Sequence, residues 1–414
     1  MKKNKKGKNK GFFKKISSMF SKKVKKNKIT FSTLETLIIA IIVFGTGILI
    51  GGIIMYGKGS FSGSTTSLNE FISTYDEIVD SYYQEVDKDK LLEAGISGMI
   101  RYLGDPYSTY FSKESAEEFN EEIEGTYQGI GAEIKYNKDN LPTLGKIFDN
   151  SPAMKAGLKE NDIILKVNDV DVTKKSLDAI ASMVKGEKDT TVNLTIKRDK
   201  EEMTLTITRG VVDSISVVSE LIEKKDQKIG YIYLSTFANN TASQFKKELL
   251  SLEAEEIDSL IIDVRGNTGG YLTTVEDIVS LFIEKGKPIY QLKTKGEIEI
   301  VNDNTDEKRT YPIVVLADGA SASASELLVG ALNESYGAKV VGTKTFGKGK
   351  VQKITTLSSG AMFKYTYQEW LTPNGNYIDG HGIEPTDEIQ YVYDKNGKDN
   401  QKDKAIEIIT SNKK

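Results

Sequence analysis

Residues 311–335 read YPIVVLADGASASASELLVGALNES. Tyr311 to Leu316 is an apolar run of strand length, Ala317 to Ser323 is a loop of small residues, and Ala324 to Ser335 reads as a helix. The same grammar recurs upstream. Ser259 to Val264, SLIIDV, reads as a buried strand ending at Arg265-Gly266-Asn267-Thr268-Gly269-Gly270, with a helix over 274–283 after it; a strand over 229–234 and a helix over 242–252 come before it. Alternating strands and helices predict an α/β layered core, in which ligands gather at strand ends and helix starts.

Two strand-to-helix junctions meet that description. The Gly-rich one can expose backbone N–H groups, and the other sets hydroxyls at a helix amino terminus, where the dipole favours developing negative charge. Acyl transfer needs this pairing of a nucleophile with preset donors, plus a base. The 414-residue chain has no cysteine and one histidine, His381. A cysteine nucleophile, disulfides, thiolate metal sites and multi-histidine metal sites are thereby excluded, and no metal or organic cofactor is expected. Lysine becomes the candidate base, provided burial lowers its pKa. Spacing alone leaves Ser321, Ser323 and Ser325 as equal nucleophile candidates. Glu326 would also allow a capping box in which Ser323 merely caps the helix. Lys348, Lys350 and Gln352 would share a face if that stretch is extended, so spacing does not choose between the lysines.

Upstream, residues 127–135, 143–148, 162–167, 190–197 and 202–208 alternate like strands, and Asp178 to Lys185 reads as a short helix. Ser151 to Val172, SPAMKAGLKENDIILKVNDVDV, resembles the hallmark stretch of a PDZ domain, and the resemblance covers about residues 122–211. It implies that Gly129-Ile130-Gly131-Ala132 is a carboxylate loop whose N–H groups receive a polypeptide C-terminus while the ligand adds a strand.

Further upstream, residues 1–28 carry 13 Lys and no acid, leaving 43 bases and 59 acids, a balance of −16, on the rest. Leu37 to Tyr56 holds 20 residues without a charge, the length a helix needs to cross a bilayer. The expectation is a transmembrane helix over 34–56 behind a basic cytoplasmic arm, 1–33, with everything after a Gly/Ser-rich linker, 57–67, lying outside the cytoplasm. The lysines beside a span point to lipid and topology rather than nucleic acid. Leu68 to Asn120 carries apolar residues at helical spacing and is expected to form two helices, a helical collar over 68–121. Residues 394–414 are expected to be a polar, loosely held tail.

Ser321-Ala322-Ser323-Ala324-Ser325-Glu326, followed by Phe346-Gly347-Lys348-Gly349-Lys350-Val351-Gln352, resembles the carboxyl-terminal processing peptidases, the Ser-Lys serine proteases of family S41. The order of span, helices, PDZ domain and core resembles their layout too, with the protease core over 212–393. The resemblance implies Ser323 as nucleophile, Lys348 as general base and Gln352 as a residue orienting the lysine. The oxyanion hole would be made by N–H groups of Ala324 and of Gly269 or Gly270. In that family such helices often pair two copies. The resemblance also makes His381 a structural or surface residue, and Trp370 and Leu371 to Gly375 a structural segment. One departure is Lys185-Gly186, where many relatives have Arg-Gly, which puts an arginine-based switch between the PDZ domain and the protease in doubt. The function implied is a membrane-anchored, extracytoplasmic serine endopeptidase; the alternatives are a catalytically inactive PDZ scaffold and an enzyme acting on small acyl esters.

Overall fold

The computed structural model describes residues 65–395 and 397–411, so the basic arm and the expected span at 34–56 lie outside the described residues. Among the described residues no helix is long and apolar enough to cross a membrane. The chain divides into two compact units, residues 1–91 and 92–414. The described part of the first holds α1 (Thr65–Ser81), which leaves Leu68, Phe71, Ile72 and Ile78 exposed, and the first turn of α2 (Lys88–Tyr102).

The second unit continues through β1 (Thr109–Phe111) and α3 (Lys113–Glu124), a third helix beyond the two expected. Ser112 caps its start and Gly125, at φ 70°, ends it in the left-handed conformation.

A β-rich module follows: β2 (Thr126–Gly129), β3 (Ala132–Tyr136), β4 (Pro142–Ile147), α4 (Pro152–Lys155), β5 (Ile163–Val167), β6 (Val170–Asp171), α5 (Leu177–Val184), β7 (Thr191–Arg198), β8 (Glu201–Thr208) and β9 (Gly210–Asp213). The run 127–135, expected as one strand, is broken at Ile130-Gly131, where Gly131 has φ 76°. Strands run β3-β4-β5-β7-β8 in one sheet, and β2 pairs antiparallel with β9 where the chain enters and leaves. The alternating residues Val192, Leu194 and Ile196 of β7 pack with Leu144, Ile164 and Ile180 into a core separate from that of the rest. Each such fully buried aliphatic contributes about 1.5–3 kcal/mol.

The layered core contains β10 (Val217–Lys224), β11 (Gln227–Leu234), α6 (Thr241–Ala254), β12 (Ser259–Asp263), α7 (Leu272–Val279), β13 (Pro288–Thr294), β14 (Glu297–Asn302), β15 (Ile313–Ala317), α8 (Ala324–Ala331), a π turn (Leu332–Tyr336), β16 (Lys339–Gly342), β17 (Lys350–Thr356), β18 (Met362–Leu371), β19 (Asp387–Glu388) and α9 (Asn400–Ser411). Its main sheet has the order β10-β11-β12-β15-β16-β19, parallel from β11 onward. The central strands β12 and β15 are buried along their whole length because both faces are covered. Leu260 and Ile262 of β12 pack with α6, α7 and α8, whereas Ile261 points to the other side. A second, antiparallel sheet, β1-β18-β13-β14 with β17 on β18, carries the segment containing Lys350 and Gln352.

The other side of the main sheet is covered by α9, which corrects the expected loose tail over 394–414. Gln401, Ala405 and Ile409 recur every fourth residue and are buried, with Ala405 and Ile409 packed on Ile261, Val314 and Leu316. The sequence disguised this because only one narrow stripe is apolar. At the start of α9 the Asp399 carboxylate accepts the Gln401 and Lys402 N–H groups and pairs with Arg265 at 2.7 Å. Arg265 also grips Asp263 at 2.6 Å. The last helix is therefore tied to the Gly-rich turn after β12.

Candidate active site

Three hydroxyls equal in the sequence become unequal in the fold. Ser321 is buried and donates to the Val264 carbonyl at 2.8 Å; Ser325 is buried and donates to the Asn267 carbonyl at 2.7 Å. Both hold the junction together. Ser323 instead lines a cavity of about 430 Å³. Its backbone is at φ 56°, ψ −113°, unusual for a residue with a side chain and costing about 1–3 kcal/mol. Surrounding bonds sustain that turn: the Ala322 N–H donates to the Asn267 carbonyl at 3.1 Å and the Ser323 N–H to Glu326 Oε2 at 2.8 Å. The Glu326 half of the capping box is therefore present, and it coexists with a Ser323 hydroxyl at the cavity wall that makes no cap hydrogen bond.

Glu326 does more than cap. It is fully buried, and its carboxylate also accepts the Thr345 hydroxyl at 2.6 Å and the N–H groups of Gly347 at 2.7 Å and Lys348 at 2.8 Å. One carboxylate thus joins the serine turn to the lysine turn. Trp370 completes the clamp, its indole N–H donating to the Lys348 carbonyl at 3.1 Å. Gly347 has φ 92°, and a Cβ there would meet the backbone N atoms of Gly382 and His381 at 3.0 and 3.1 Å. His381 itself is exposed, its Nδ1 lying 2.8 Å from the Asp379 carbonyl.

The two lysines differ as sharply as the serines. Lys350 pairs with Glu369 at 2.6 Å and Asp379 at 3.2 Å, and the Glu369 hydrogen bond above all pushes its pKa up. Lys348 has no ion pair or hydrogen bond from its amine among the described residues. Burial, then the charge of Lys364, holds its pKa below the usual lysine value, against Asp105 and Glu326. Lys348 and Ser323 line the same cavity but are not hydrogen-bonded to each other; the Lys348 amine lies 4.9 Å from the centre of the Tyr107 ring. Gln352 lines that cavity too, and its amide donates to the Lys350 carbonyl at 3.3 Å and to Thr366 Oγ1 at 3.5 Å rather than touching Lys348.

The glycine turn makes the remaining choice. Gly269 donates its N–H to Asn267 Oδ1 at 2.9 Å, whereas the N–H groups of Gly270 and Ala324 have no acceptor among the described residues. Both residues line the cavity. Gly269, at φ 110°, passes so close to the serine turn that a Cβ would meet the Ala322 O at 2.9 Å and Ser323 Cβ at 3.0 Å. Ser323, the N–H groups of Ala324 and Gly270, and a depressed lysine amine thus share one cavity. A free hydroxyl, two N–H groups without acceptors and an amine with a lowered pKa are the kinds of group that acyl transfer requires.

In the β-rich module, Gly129 ends β2, Ile130 is buried with its carbonyl accepting the Ala153 N–H at 2.7 Å, and Gly131 and Ala132 lead into β3. The N–H groups of Ile130 and Gly131 have no acceptor among the described residues. Within its sheet β3 pairs only with β4, so its other edge is open to an added strand. Lys185 ends α5 with its amine 5.5 Å from the centre of the Tyr127 ring.

The profile of peptidase family S41 matches residues 228–389, that of a PDZ domain residues 149–198, and that of the activating protease CtpB N-terminal domain residues 55–115. The carboxy-terminal processing protease CtpB of Bacillus subtilis is 39% identical over 323 residues, 77% of this chain and 67% of that protein. The chain belongs to peptidase family S41. A probable CtpA-like serine protease of Staphylococcus aureus is 37% identical over 322 residues, 77% of this chain and 64% of that protein. This S41 chain thus aligns with about two thirds of the length of those relatives. Among solved structures it is similar to a photosystem II D1 C-terminal processing protease, at 24% identity and a TM-score of 0.46, covering 77% of this chain and 92% of that one.

Two parts of this S41 site were not found by reading the sequence as chemistry. Glu326 was noticed only as a helix cap, although its spacing from Ser323 was the available signal. Asn267, which binds Gly269 through its side chain and the serine turn through its carbonyl, gave no signal because Ala322 and Ser325 are distant in sequence. Glu326→Gln is expected to destabilise the fold by about 2–4 kcal/mol, because an amide turns a donor toward N–H groups that need acceptors. Thermal melts check this, and a change below about 0.5 kcal/mol would contradict the clamp.

Proposed function

We propose that this chain is a membrane-anchored, extracytoplasmic serine endopeptidase that captures polypeptide C-termini with its PDZ domain and cleaves with a Ser323–Lys348 dyad. The observation that carries the reading is the single cavity shared by Ser323, the free N–H groups of Gly270 and Ala324, and a lysine whose neutral form is favoured.

In this mechanism Lys348 swings from the Tyr107 ring to Ser323 and takes the hydroxyl proton as Oγ attacks the peptide carbonyl. The oxyanion accepts from Gly270 and Ala324. Collapse breaks the C–N bond, and the protonated Lys348 gives its proton to the departing amine. Neutral again, Lys348 takes a proton from water, whose oxygen attacks the acyl-enzyme; breakdown returns that proton to Ser323. The PDZ domain supplies local concentration. Its free N–H groups at Ile130 and Gly131 and the open β3 edge support binding of a terminal carboxylate on an extended chain. The uncharged run Leu37 to Tyr56 supports the anchor, and the 13 preceding lysines support a cytoplasmic amino terminus.

The test uses an unstructured polypeptide in two forms, one with a free C-terminal carboxylate and one amidated. The free form is expected to be cleaved with a KM at least about tenfold lower, since the amide forfeits the charge-assisted bonds worth about 1.5–3 kcal/mol. Equal KM values would remove the capture role, absence of cleavage in both would remove the enzyme, and release of the chain from membranes by carbonate would remove the anchor.

A further inference from the structure

Besides Lys348 and the ion-paired Lys350, the cavity is lined by a third lysine that the mechanism leaves unused. Lys364 sits in β18, paired on one side with Thr109 of β1 and on the other with Ile354 of β17, and lines the same cavity as Ser323 and Lys348. Its amine has no hydrogen bond or ion pair among the described residues. Instead it lies 5.1 Å from the centre of the Phe119 ring and 5.7 Å from that of Phe111, and these rings stack on each other at 4.5 Å. Two amines therefore face one cavity without either having a carboxylate partner in contact.

We propose that Lys364 is a positioning residue for this reaction: it stays charged, and its charge within the shared cavity keeps the Lys348 amine unprotonated and ready to act as base. The inference rests on Lys348 being that base. Two like charges that are both partly desolvated and line one cavity repel each other, which favours loss of one proton. The surroundings decide which. Lys364 faces two aromatic rings and Glu122 of α3, which also lines the cavity and favours the charged amine. Lys348 faces one ring, Tyr107, with Asp105 from the loop before β1 and Glu326 from α8 opposing Lys364. Glu326 already has four donors on its oxygens, which spend much of its charge. Burial lowers the pKa of both lysines; after burial, the main further push is downward from Lys364 on Lys348, and upward from Glu122 on Lys364.

The sign follows directly. Activity rises with pH as Lys348 loses its proton, so removing the Lys364 charge raises the Lys348 pKa and moves that rising limb to higher pH. With the full chain and fluorescein-labelled casein, Lys364→Met is expected to move the limb of kcat/KM by about one pH unit, with activity recovering at the top of the limb, while Lys364→Arg leaves it in place. An unmoved limb in Lys364→Met, or a raised KM with the limb unmoved, would overturn the inference and make Lys364 a packing residue or a substrate contact. Cleavage surviving in Lys348→Ala would instead sink the dyad itself, so the two failures are distinguishable. If Lys364→Met does not fold, NMR titration of the reductively methylated chain decides, with signals assigned by Lys348→Arg and Lys364→Arg. Lys348 is expected to lose its proton at lower pH than Lys364, and the reverse order would end the proposal.

Discussion

Ser323→Ala and Lys348→Ala are each expected to lower kcat for cleavage of an unstructured polypeptide by about 10⁴-fold or more, with binding of a C-terminal peptide unchanged. The argument for Ser323 is by elimination within the fold. Ser321 and Ser325 spend their protons on the Val264 and Asn267 carbonyls, so neither hydroxyl is available to attack. For Lys348 the decisive variant is Lys348→Arg, which keeps length and charge but cannot be deprotonated. It should be as inactive as Lys348→Ala if the amine is a base, and partly active if the site needs only a cation. The pH profile carries the same information. Burial and Lys364 lower the Lys348 pKa, so wild-type activity should climb with pH along a limb below the ordinary lysine range. Turnover in Ser323→Ala within about tenfold of wild type would require another nucleophile.

Gly270→Ala is expected to cut kcat by about 10²–10³-fold, the scale for losing one oxyanion donor. A Cβ at this residue would stand 2.3 Å from the Phe237 carbonyl oxygen, and φ is 149°, a conformation that side chains rarely adopt. The turn must shift, and with it the free N–H. Gly266→Ala supplies the comparison: it has φ 73° but open space where the Cβ would go, so it should cost about 1 kcal/mol of stability and leave kcat within about threefold. Steady-state kinetics alongside thermal melts distinguish loss of a donor from loss of the fold. If Gly270→Ala folds and keeps kcat within threefold, the oxyanion donor is elsewhere.

Much of the layout was legible because it depends on local rules. The apolar runs at 259–264 and 311–316 could only be buried strands, and β12 and β15 lie there. The boundaries that moved did so where glycine or register intervened, as at Ile130-Gly131. The second sheet was invisible as a sheet, because β17 and β18 mix charged and apolar residues, and their pairing includes a register shift between Val351 and Gln352. The last helix was misread as a tail because Ala405 and Ile409 declare their role only when β15 lies beneath them.

The sequence by itself determined the chemical vocabulary: no cysteine, one histidine, a pair of lysines, and a glycine turn and three serines at strand-to-helix junctions of a layered core. The motif resemblance already implied Ser323 and Lys348; the tertiary structure gave the physical difference between them and their neighbours, and it alone distinguished Gly270 from Gly269. Each choice turns on whether a hydroxyl, an amine or an N–H already has a partner. For the serines and the lysines those partners, Val264, Asn267, Glu369 and Asp379, come from other segments of the chain, so their assignment exists only once the segments have packed; Gly269 finds its partner, Asn267, within its own turn.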